Sequence, residues 1–553
     1  MNSMSRTGSA VPAQAGIKAS DISVPINDKS EFRGFCSVLG VAHFLGIQFA
    51  HVPARFRQAR LVEFESRDAI VESTKFGPIC PQISDGSRGH RRHLFVGAPA
   101  ANQKQSEQNC LCLNIYAPMS ALSSDKKIPV IVWIHGGGWS FENGNADFSG
   151  DFLIQHAVAT GKPVIFVSIN YRLGHFGFLS SSELTEEAVN FEEVGWANQG
   201  LYDQRLALQW VKNYIGLFGG DNTKVTISGE SAGAWSVLAH LKSDQPLCQR
   251  GILQSAPFWS MLRPEDAQER FDKLVQRTGV PVSATAAEKL AALRSIPQEV
   301  LVTWNEGATS PVWDPKWFVG HGDPEQPLDS VGTFPAWVQA IVSGTMRDEM
   351  SVFGFVKLWK TKESVIASLR GGLFLPQDPS FCDEALHEYG IQQSSSDAAA
   401  VQGFVSVLAD ACFAPLPFNL ANACRDPNSP PVYIYRFDQA DEDENSVFKG
   451  AAYHVLDNTY TCRYPAVAGP TAPRSCQATA NRFSEMMLRH AYGEAPWQSY
   501  RSSGAWNVFD GENTRVEIVD HGVQRWEKLL TTEARVIKFA RLFATIVSNL
   551  PSQ

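Results

Sequence analysis

The stretch Val225-Thr226-Ile227-Ser228-Gly229-Glu230-Ser231-Ala232-Gly233 decides the fold. The β-branched residues 225–228 predict a buried strand, and the apolar run 234–241 that follows predicts a helix. The five residues between them have the pattern G-x-S-x-G, which by itself is common by chance. Between a strand and a helix, however, the pattern is typical of a strained turn that lifts a serine hydroxyl above a sheet. The sequence therefore predicts Ser231 as a catalytic nucleophile.

A second motif, His135-Gly136-Gly137-Gly138-Trp139, follows the predicted strand at 130–134. Glycines allow two backbone N–H groups to point at one spot, because no side chain shields them. Such a loop can stabilise an oxyanion, with a third N–H from the residue after the nucleophile. The alternative is an ordinary glycine-rich turn. The order of the two motifs along the chain favours the oxyanion loop.

Strand and helix patterns alternate along most of the chain, which favours a mostly parallel sheet covered on both faces. The clearest helical pattern covers residues 200–218, where apolar residues recur at three- and four-residue steps. Residues 376–397 are predicted to be a loop. The predicted buried strands are residues 128–134, 163–169, 224–228, 250–254, 337–342 and 431–437.

The composition limits the class of protein. Of 553 residues, 44% are hydrophobic and 19% are charged, which excludes a chain that is disordered throughout. The net charge of −9 argues against binding to phosphate backbones, so no nucleic-acid partner is expected. Ten cysteines are too few for a disulfide scaffold.

The cellular location is predicted from what the sequence lacks. Residues 1–33 are polar, without the apolar stretch of a secretory signal, and are predicted to form a polar tail. No run approaches the roughly 20 apolar residues of a membrane span. No N-glycosylation sequon occurs either. These features predict a cytoplasmic protein with no membrane span.

Further motifs recur in a fixed order: GIQFA at 46–50, GPICPQ at 77–82, CLCLNIY at 110–116, NYRLG at 170–174, GLYDQR at 200–205 and FGGD at 218–221. With them, the sequence resembles the type-B carboxylesterases, the cholinesterase-like family of α/β-hydrolases, from about residue 44 to at least 460. The resemblance implies an α/β-hydrolase fold: a mostly parallel central sheet covered by helices, with a large helical insertion that forms an active-site gorge. It implies one domain over residues 34–550, with the insertion at about 262–420.

The resemblance also supplies a catalytic acid and base. The family's acid is a Glu in a Gly-x-x-x-Asp-Glu-Gly motif, which residues 344–350 match with Glu349 as the acid. Met350 stands where the family usually has Gly, and Asp348 is the rival acid. The family's base is a His in a Gly-x-x-x-His-x-x-Asp motif, which residues 450–457 match with His454 as the base. A single histidine is more often structural, but this motif favours catalysis.

These residues imply hydrolysis of a small carboxylic ester. His454 would take the proton of Ser231 as it attacks, and Glu349 would orient the imidazole and stabilise its cation. No cofactor or metal is expected. The oxyanion would be bound by the backbone N–H groups of Gly137, Gly138 and Ala232.

There are two alternatives to ester hydrolysis, one that uses the same catalytic residues and one that has no catalytic activity. The same acyl-enzyme could pass its acyl group to an alcohol or amine, or form a lactone, and the sequence does not separate these reactions from hydrolysis. A non-catalytic interaction protein is a remote alternative, since relatives of that kind lack triad residues. The basic loop at 88–93 suggests a preference for anionic substrates, against the alternative of a solvated loop. Its histidines lack a third metal ligand at a recognisable spacing.

Two more expectations rest on the resemblance. The family pairs an Arg that matches Arg55 with a Glu, at a position where this chain has Gln108, so only a neutral hydrogen bond is expected there. In secreted relatives the cysteines that match Cys80 and Cys110 form a disulfide. In a cytoplasmic protein both are expected to be free thiols.

Overall fold

The structure is a computed structural model. It describes residues 18–64, 70–83, 102–281, 283–305, 309–328, 333–519 and 524–548. Residues 1–17 of the predicted tail and the basic loop at 88–93 lie outside these ranges.

The centre of the described molecule is one large sheet. Its strands are β1 (Lys18–Asn27), β2 (Ser30–Ser37), β3 (Val41–Gln48), β6 (Ile70–Glu72), β7 (Cys112–Pro118), β8 (Ile128–Ile134), β9 (Ile165–Ile169), β10 (Gly220–Glu230), β11 (Arg250–Gln254), β12 (Ala340–Met346), β13 (Val432–Phe437), β14 (Ala505–Phe509) and β15 (Arg515–Ile518). Two short strands, β4 (Ala50–His51) and β5 (Arg60–Leu61), pair separately.

The strand order is β1-β2-β3-β7-β9-β8-β10-β11-β12-β13-β14-β15, with β6 beside β2. Neighbours from β9 to β14 are parallel, whereas the edges carry antiparallel pairs. Every residue of β8 and β9 is buried, as expected for parallel strands covered on both faces. The prediction of a mostly parallel sheet is confirmed.

Helices cover this sheet. They are α1 (Met119–Leu122), α2 (Asp151–Ala159), α3 (Gly174–Phe178), α4 (Ser182–Asn190), α5 (Gln199–Tyr214), α6 (Ala232–Leu241), α7 (Pro264–Arg277), α8 (Ala286–Ser295), α9 (Gln298–Thr303), α10 (Lys362–Leu373), α11 (Ser380–Glu388), α12 (Asp397–Cys412), α13 (Pro415–Ala423), α14 (Asp457–Thr461), α15 (Pro465–Ala468), α16 (Arg474–Ala491), α17 (Tyr500–Ser503), α18 (Arg525–Leu529), α19 (Glu533–Ala540) and α20 (Leu542–Ser548).

The predicted polar tail is wrong for residues 18–33. Strands β1 and β2 form an antiparallel hairpin at one edge of the sheet. In β1, Ile22, Val24 and Ile26 are the more buried residues and alternate with exposed ones. This two-residue period marks a half-buried strand, although the segment is polar on average. In β2, Phe32 is fully buried against the ring of Phe64.

The predicted helical insertion at 262–420 is not continuous. Strand β12 lies inside it and divides the helices into α7–α9 and α10–α13. The predicted loop at 376–397 is also wrong in part, because it contains α11. That helix packs on the core through buried residues that recur at three- and four-residue steps, Phe381, Cys382, Ala385 and Leu386.

The stretch Asp397–Ala423 is long enough to span a membrane, and its most apolar 18 residues have a mean hydropathy of 1.5. It comprises α12 and α13, which are separated by Phe413 and Ala414. Of these 18 residues, 56% are buried inside the protein. Its apolar residues therefore serve the packing of the insertion, as in the core helices of many globular proteins.

Arg55 keeps a charged partner, contrary to the expected loss of its ion pair. Its guanidinium donates two hydrogen bonds of 2.6 Å to the carboxylate of Glu107, which directly precedes Gln108. It also donates to the carbonyl oxygens of Leu293 and Ile296 at the end of α8. This side chain therefore ties the N-terminal part of the sheet to the insertion.

Candidate active site

Ser231 stands at the turn between β10 and α6. Its φ and ψ are 55° and −125°, a backbone conformation that is strained for a residue with a side chain. The turn is tight because Gly233 lies against β8, where an added Cβ would come within 2.1 Å of the carbonyl oxygen of Ile134. The predicted turn is therefore present, with Ser231 at its tip and lining a cavity.

The loop that follows β8, residues 135–142, is called the glycine loop here and borders the same cavity. Gly137 and Gly138 have φ values of 87° and 56°. An added Cβ on Gly137 would lie 2.2 Å from the carbonyl oxygen of Phe141, so only glycine fits there. Gly137, Gly138 and Ala232 all line the cavity beside Ser231.

His454 is paired with Glu349, as the sequence predicts. The Nδ1 atom of His454 lies 2.6 Å from Oε2 of Glu349, and both side chains are buried. The backbone N–H of Met346, at the end of β12, donates a 2.8 Å hydrogen bond to Oε1 of Glu349. The glutamate is thus fixed in place, and it fixes the orientation of the imidazole ring.

The side chain of the rival acid, Asp348, is bound to residues other than His454. Its carboxylate pairs with Arg347 and accepts a 2.8 Å hydrogen bond from the backbone N–H of Ala452. Its side chain is 32% exposed, against 3% for Glu349. Met350 is buried in the core, so the departure from the family's glycine is accommodated there.

Sequence reasoning did not identify Glu230, which contacts the candidate base. Its Oε1 atom lies 3.0 Å from Nε2 of His454, and the side chain is fully buried. In the described structure Nε2 is therefore paired with Glu230 rather than with Ser231. The only signal in the sequence was an acidic residue at a variable position of G-x-S-x-G.

The two carboxylates dominate the electrostatics of His454. Burial opposes a charged imidazole, but the negative charges of Glu230 and Glu349 outweigh it and raise the pKa of His454 above its ordinary 6.5. A third acid, Asp457, lies near by. Burial, and then the charge of Glu230, raises the pKa of Asp457 to about 7, although the side-chain amide of Gln254 donates a 2.9 Å hydrogen bond to it.

Aromatic rings enclose the imidazole. The ring centroids of Phe413 and Phe353 lie 4.7 and 5.5 Å from that of His454. Phe543, from the C-terminal helix α20, contacts both Phe353 and Trp259 at 5.8 Å. The cavity has a volume of about 560 Å³, the size of a site for a small organic molecule.

A metal centre has no evident place in the part of the chain that is described. No group of three or more His, Cys, Asp or Glu side chains there could hold a metal ion. His90 and His93 fall in the range 84–101, outside the described residues.

A mostly parallel sheet, with a strained serine directly after one strand and a histidine–glutamate pair in the segments that follow two others, defines the α/β-hydrolase class. The carboxylesterase family model matches residues 31–536, nearly the whole chain. The protein belongs to the carboxylesterase family.

Several curated proteins are similar in sequence. Lipase 1 of Geotrichum candidum is 39% identical over 288 residues, which cover 47% of this chain and 49% of the lipase. Secreted lipase 1 of Botryotinia fuckeliana is 34% identical over 280 residues, 47% of each chain. Acetylcholinesterase of Bungarus fasciatus is 35% identical over 348 residues, 59% of this chain and 53% of the enzyme. The chain thus spans about half the length of the curated relatives it matches.

Proposed function

We propose that the protein is a serine hydrolase that cleaves neutral carboxylic esters through an acyl-enzyme on Ser231. The observation that carries this proposal is one cavity lined by Ser231, His454, the glycine loop and Ala232. A nucleophile, a base and N–H donors for an oxyanion are the groups that acyl transfer requires.

Each group has a distinct part in the proposed reaction. When His454 has lost its proton, Nε2 accepts the hydroxyl proton of Ser231 as the oxygen attacks the ester carbonyl. Glu349 holds the ring through Nδ1 and stabilises the imidazolium that forms. The oxyanion accepts hydrogen bonds from Gly137, Gly138 and Ala232. His454 then protonates the leaving alcohol, and water releases the acid.

The lining of the cavity supports a neutral substrate. In the described residues it contains two carboxylates, Glu142 and Glu230, but no lysine or arginine. Trp259, Phe353 and Phe543 add apolar walls. A substrate carboxylate would meet like charge in a partly desolvated site, which is unfavourable.

A pair of esters of equal length tests this proposal. We expect p-nitrophenyl hexanoate to be hydrolysed with a kcat/KM at least about tenfold higher than the mono-p-nitrophenyl ester of adipic acid, a difference of about 1.4 kcal/mol. Release of p-nitrophenol measures both. Faster hydrolysis of the adipate would favour the anionic substrates suggested by the loop at 88–93. Adding an alcohol acceptor to the same assay would reveal acyl transfer as a new ester.

The raised pKa of His454 predicts the pH dependence of hydrolysis. Only the neutral imidazole acts as a base, so activity is low below the pKa and rises as the pH passes it. We expect the midpoint of the kcat/KM profile to lie above 6.5, since two carboxylates stabilise the charged form. Glu230→Gln removes one of these charges and should move the midpoint to lower pH. An unchanged midpoint in Glu230→Gln would contradict this account of the site.

The relative named as a secreted lipase supports an extracellular location, rather than the cytoplasmic one predicted from the sequence.

Cys80 and Cys110 are buried thiols in the structure, and the pKa of Cys110 is raised well above its usual range by a hydrogen bond with Cys80 and by burial. Because the two thiols are neighbours, we infer that oxidising conditions outside the cell would join them.

A further inference from the structure

A buried glutamine, Gln82, is bound to the backbone of the glycine loop. Its Oε1 accepts a 2.8 Å hydrogen bond from the N–H of Glu142, and its Nε2 donates a 2.9 Å bond to the carbonyl oxygen of the same residue. The second proton of Nε2 goes to the carbonyl oxygen of Cys80 at 3.1 Å. Gln82 is only 5% exposed, so these bonds are protected from water.

The partner of Gln82 has an unfavourable backbone conformation. Glu142 has φ of 78°, in the left-handed region that a residue with a Cβ rarely adopts. Trp139, three residues earlier, also has a positive φ of 54°. Strained residues of this kind persist only where the surroundings hold them, and a two-bond clamp on the peptide groups of Glu142 is such a constraint.

The clamped residue is joined to the candidate oxyanion hole by a short turn. The N–H groups of Ser140 and Phe141 donate hydrogen bonds of 3.0 and 3.2 Å to the carbonyl oxygen of Gly137. The carbonyl oxygen of Phe141 also lies against Gly137, only 2.2 Å from where a Cβ on Gly137 would be. A change of φ at Glu142 rotates the peptide group between Phe141 and Glu142, and with it this carbonyl group. The N–H groups of Gly137 and Gly138 would then change direction.

Gln82 is itself held in position. Its backbone N–H donates a 2.9 Å hydrogen bond to Oε1 of Gln105. Its side chain also binds the carbonyl group of Cys80, two residues before it. The segment 80–82 is therefore a fixed support on which the glycine loop rests, although it lies far from Ser231 in the sequence.

From this geometry we infer that Gln82 is a positioning residue of the oxyanion hole. It holds Glu142 in its strained conformation and thereby directs the N–H groups of Gly137 and Gly138 at the reacting carbonyl oxygen. The inference rests on the proposed function of the site. It implies that Gln82 contributes more to the transition state, in which the oxygen is charged, than to substrate binding.

Gln82→Met tests the inference, because methionine keeps the length of the side chain but makes none of the three hydrogen bonds. With p-nitrophenyl hexanoate we expect kcat to fall about 10- to 100-fold while KM stays within threefold. A trifluoromethyl ketone with the same acyl chain, which forms an oxyanion on the enzyme, should lose affinity by the same factor. A kcat within twofold of the wild type, or a loss expressed only in KM, would overturn the inference.

The matched control is Gln249→Met. Gln249 is a half-buried glutamine whose side chain accepts a 2.7 Å hydrogen bond from the backbone N–H of Val225 in β10, and its side chain makes no hydrogen bond to residues 135–142 of the described structure. Its kcat should stay within twofold of the wild type. An equal loss of kcat in both variants would show that the effect of Gln82→Met is general destabilisation, and would overturn the inference.

Hydrogen exchange separates this inference from the proposed function. The amides of Phe141 and Glu142 should exchange faster in Gln82→Met than in the wild type, whether or not the protein hydrolyses esters. Unchanged exchange there would refute the clamp. If the exchange is faster but wild type and Ser231→Ala hydrolyse the ester equally, the clamp stands and the proposed function fails.

Discussion

Ser231→Ala should lower kcat for p-nitrophenyl hexanoate by about 10⁴-fold or more, leaving the fold intact. The substitution removes the hydroxyl that forms the acyl-enzyme, and an oxyanion hole without a nucleophile accelerates hydrolysis only weakly. Alanine keeps the Cβ atom of serine and lacks only the hydroxyl group, so the packing of the strained turn is retained. Progress curves at high enzyme concentration, with circular dichroism for the fold, measure both parts of this prediction.

A fluorophosphonate probe identifies the nucleophile independently. It should label the wild type at Ser231, as read from the modified peptide, and leave Ser231→Ala unlabelled. Ser140 also lines the cavity, but its hydroxyl donates to the carbonyl oxygen of Gly138. Labelling at Ser140, or hydrolysis by Ser231→Ala within tenfold of the wild type, would show that the nucleophile is misassigned.

Glu349→Gln should lower kcat by about 10³- to 10⁴-fold. The amide retains the volume of the side chain but loses the charge that stabilises the imidazolium and selects the tautomer with the proton on Nδ1. At 2.6 Å, the contact between Nδ1 of His454 and Glu349 is shorter than the 3.0 Å contact between Nε2 and Glu230. Steady-state kinetics across the pH range measures the loss.

Asp348→Asn is the matched control, because it makes the same chemical change one residue earlier. We expect kcat within about tenfold of the wild type, since Asp348 contacts Arg347 and Ala452 rather than His454. A lower kcat in Asp348→Asn than in Glu349→Gln would mean that Asp348 is the catalytic acid, contrary to the contact between Glu349 and His454.

The parallel core could be predicted from the sequence because its signals are local. Residues 128–134 coincide with β8, since a strand buried on both faces is a short apolar run without interruption. Residues 250–254 coincide with β11, whose centre, Ile252 and Leu253, is apolar and fully buried. Helix α5 could also be predicted, because apolar residues that recur every three or four residues are likewise a local signal. Hairpin β1–β2 was missed because its alternation of apolar and polar residues is weak beside its polar composition.

The site was predictable only in part. Ser231 has a local motif, whereas Glu349 and His454, 105 residues apart, came from the resemblance to a family. Glu230 and Gln82 were not foreseen, because their roles depend on what faces them across the fold. A glutamate paired with Nε2 of His454 and a glutamine bound to the peptide groups of Glu142 leave no periodicity in the sequence.

The placement of Ser231, Glu349 and His454 has a consequence for how such a protein can change over evolutionary time. They follow β10, β12 and β13, which stand in one parallel block whose register is set by backbone hydrogen bonds. The helices α7–α9 and α10–α13 are inserted between these positions and supply part of the cavity wall. Insertions, deletions and exchanges in those helices can therefore give new substrate preferences to descendants that share an unaltered reaction centre.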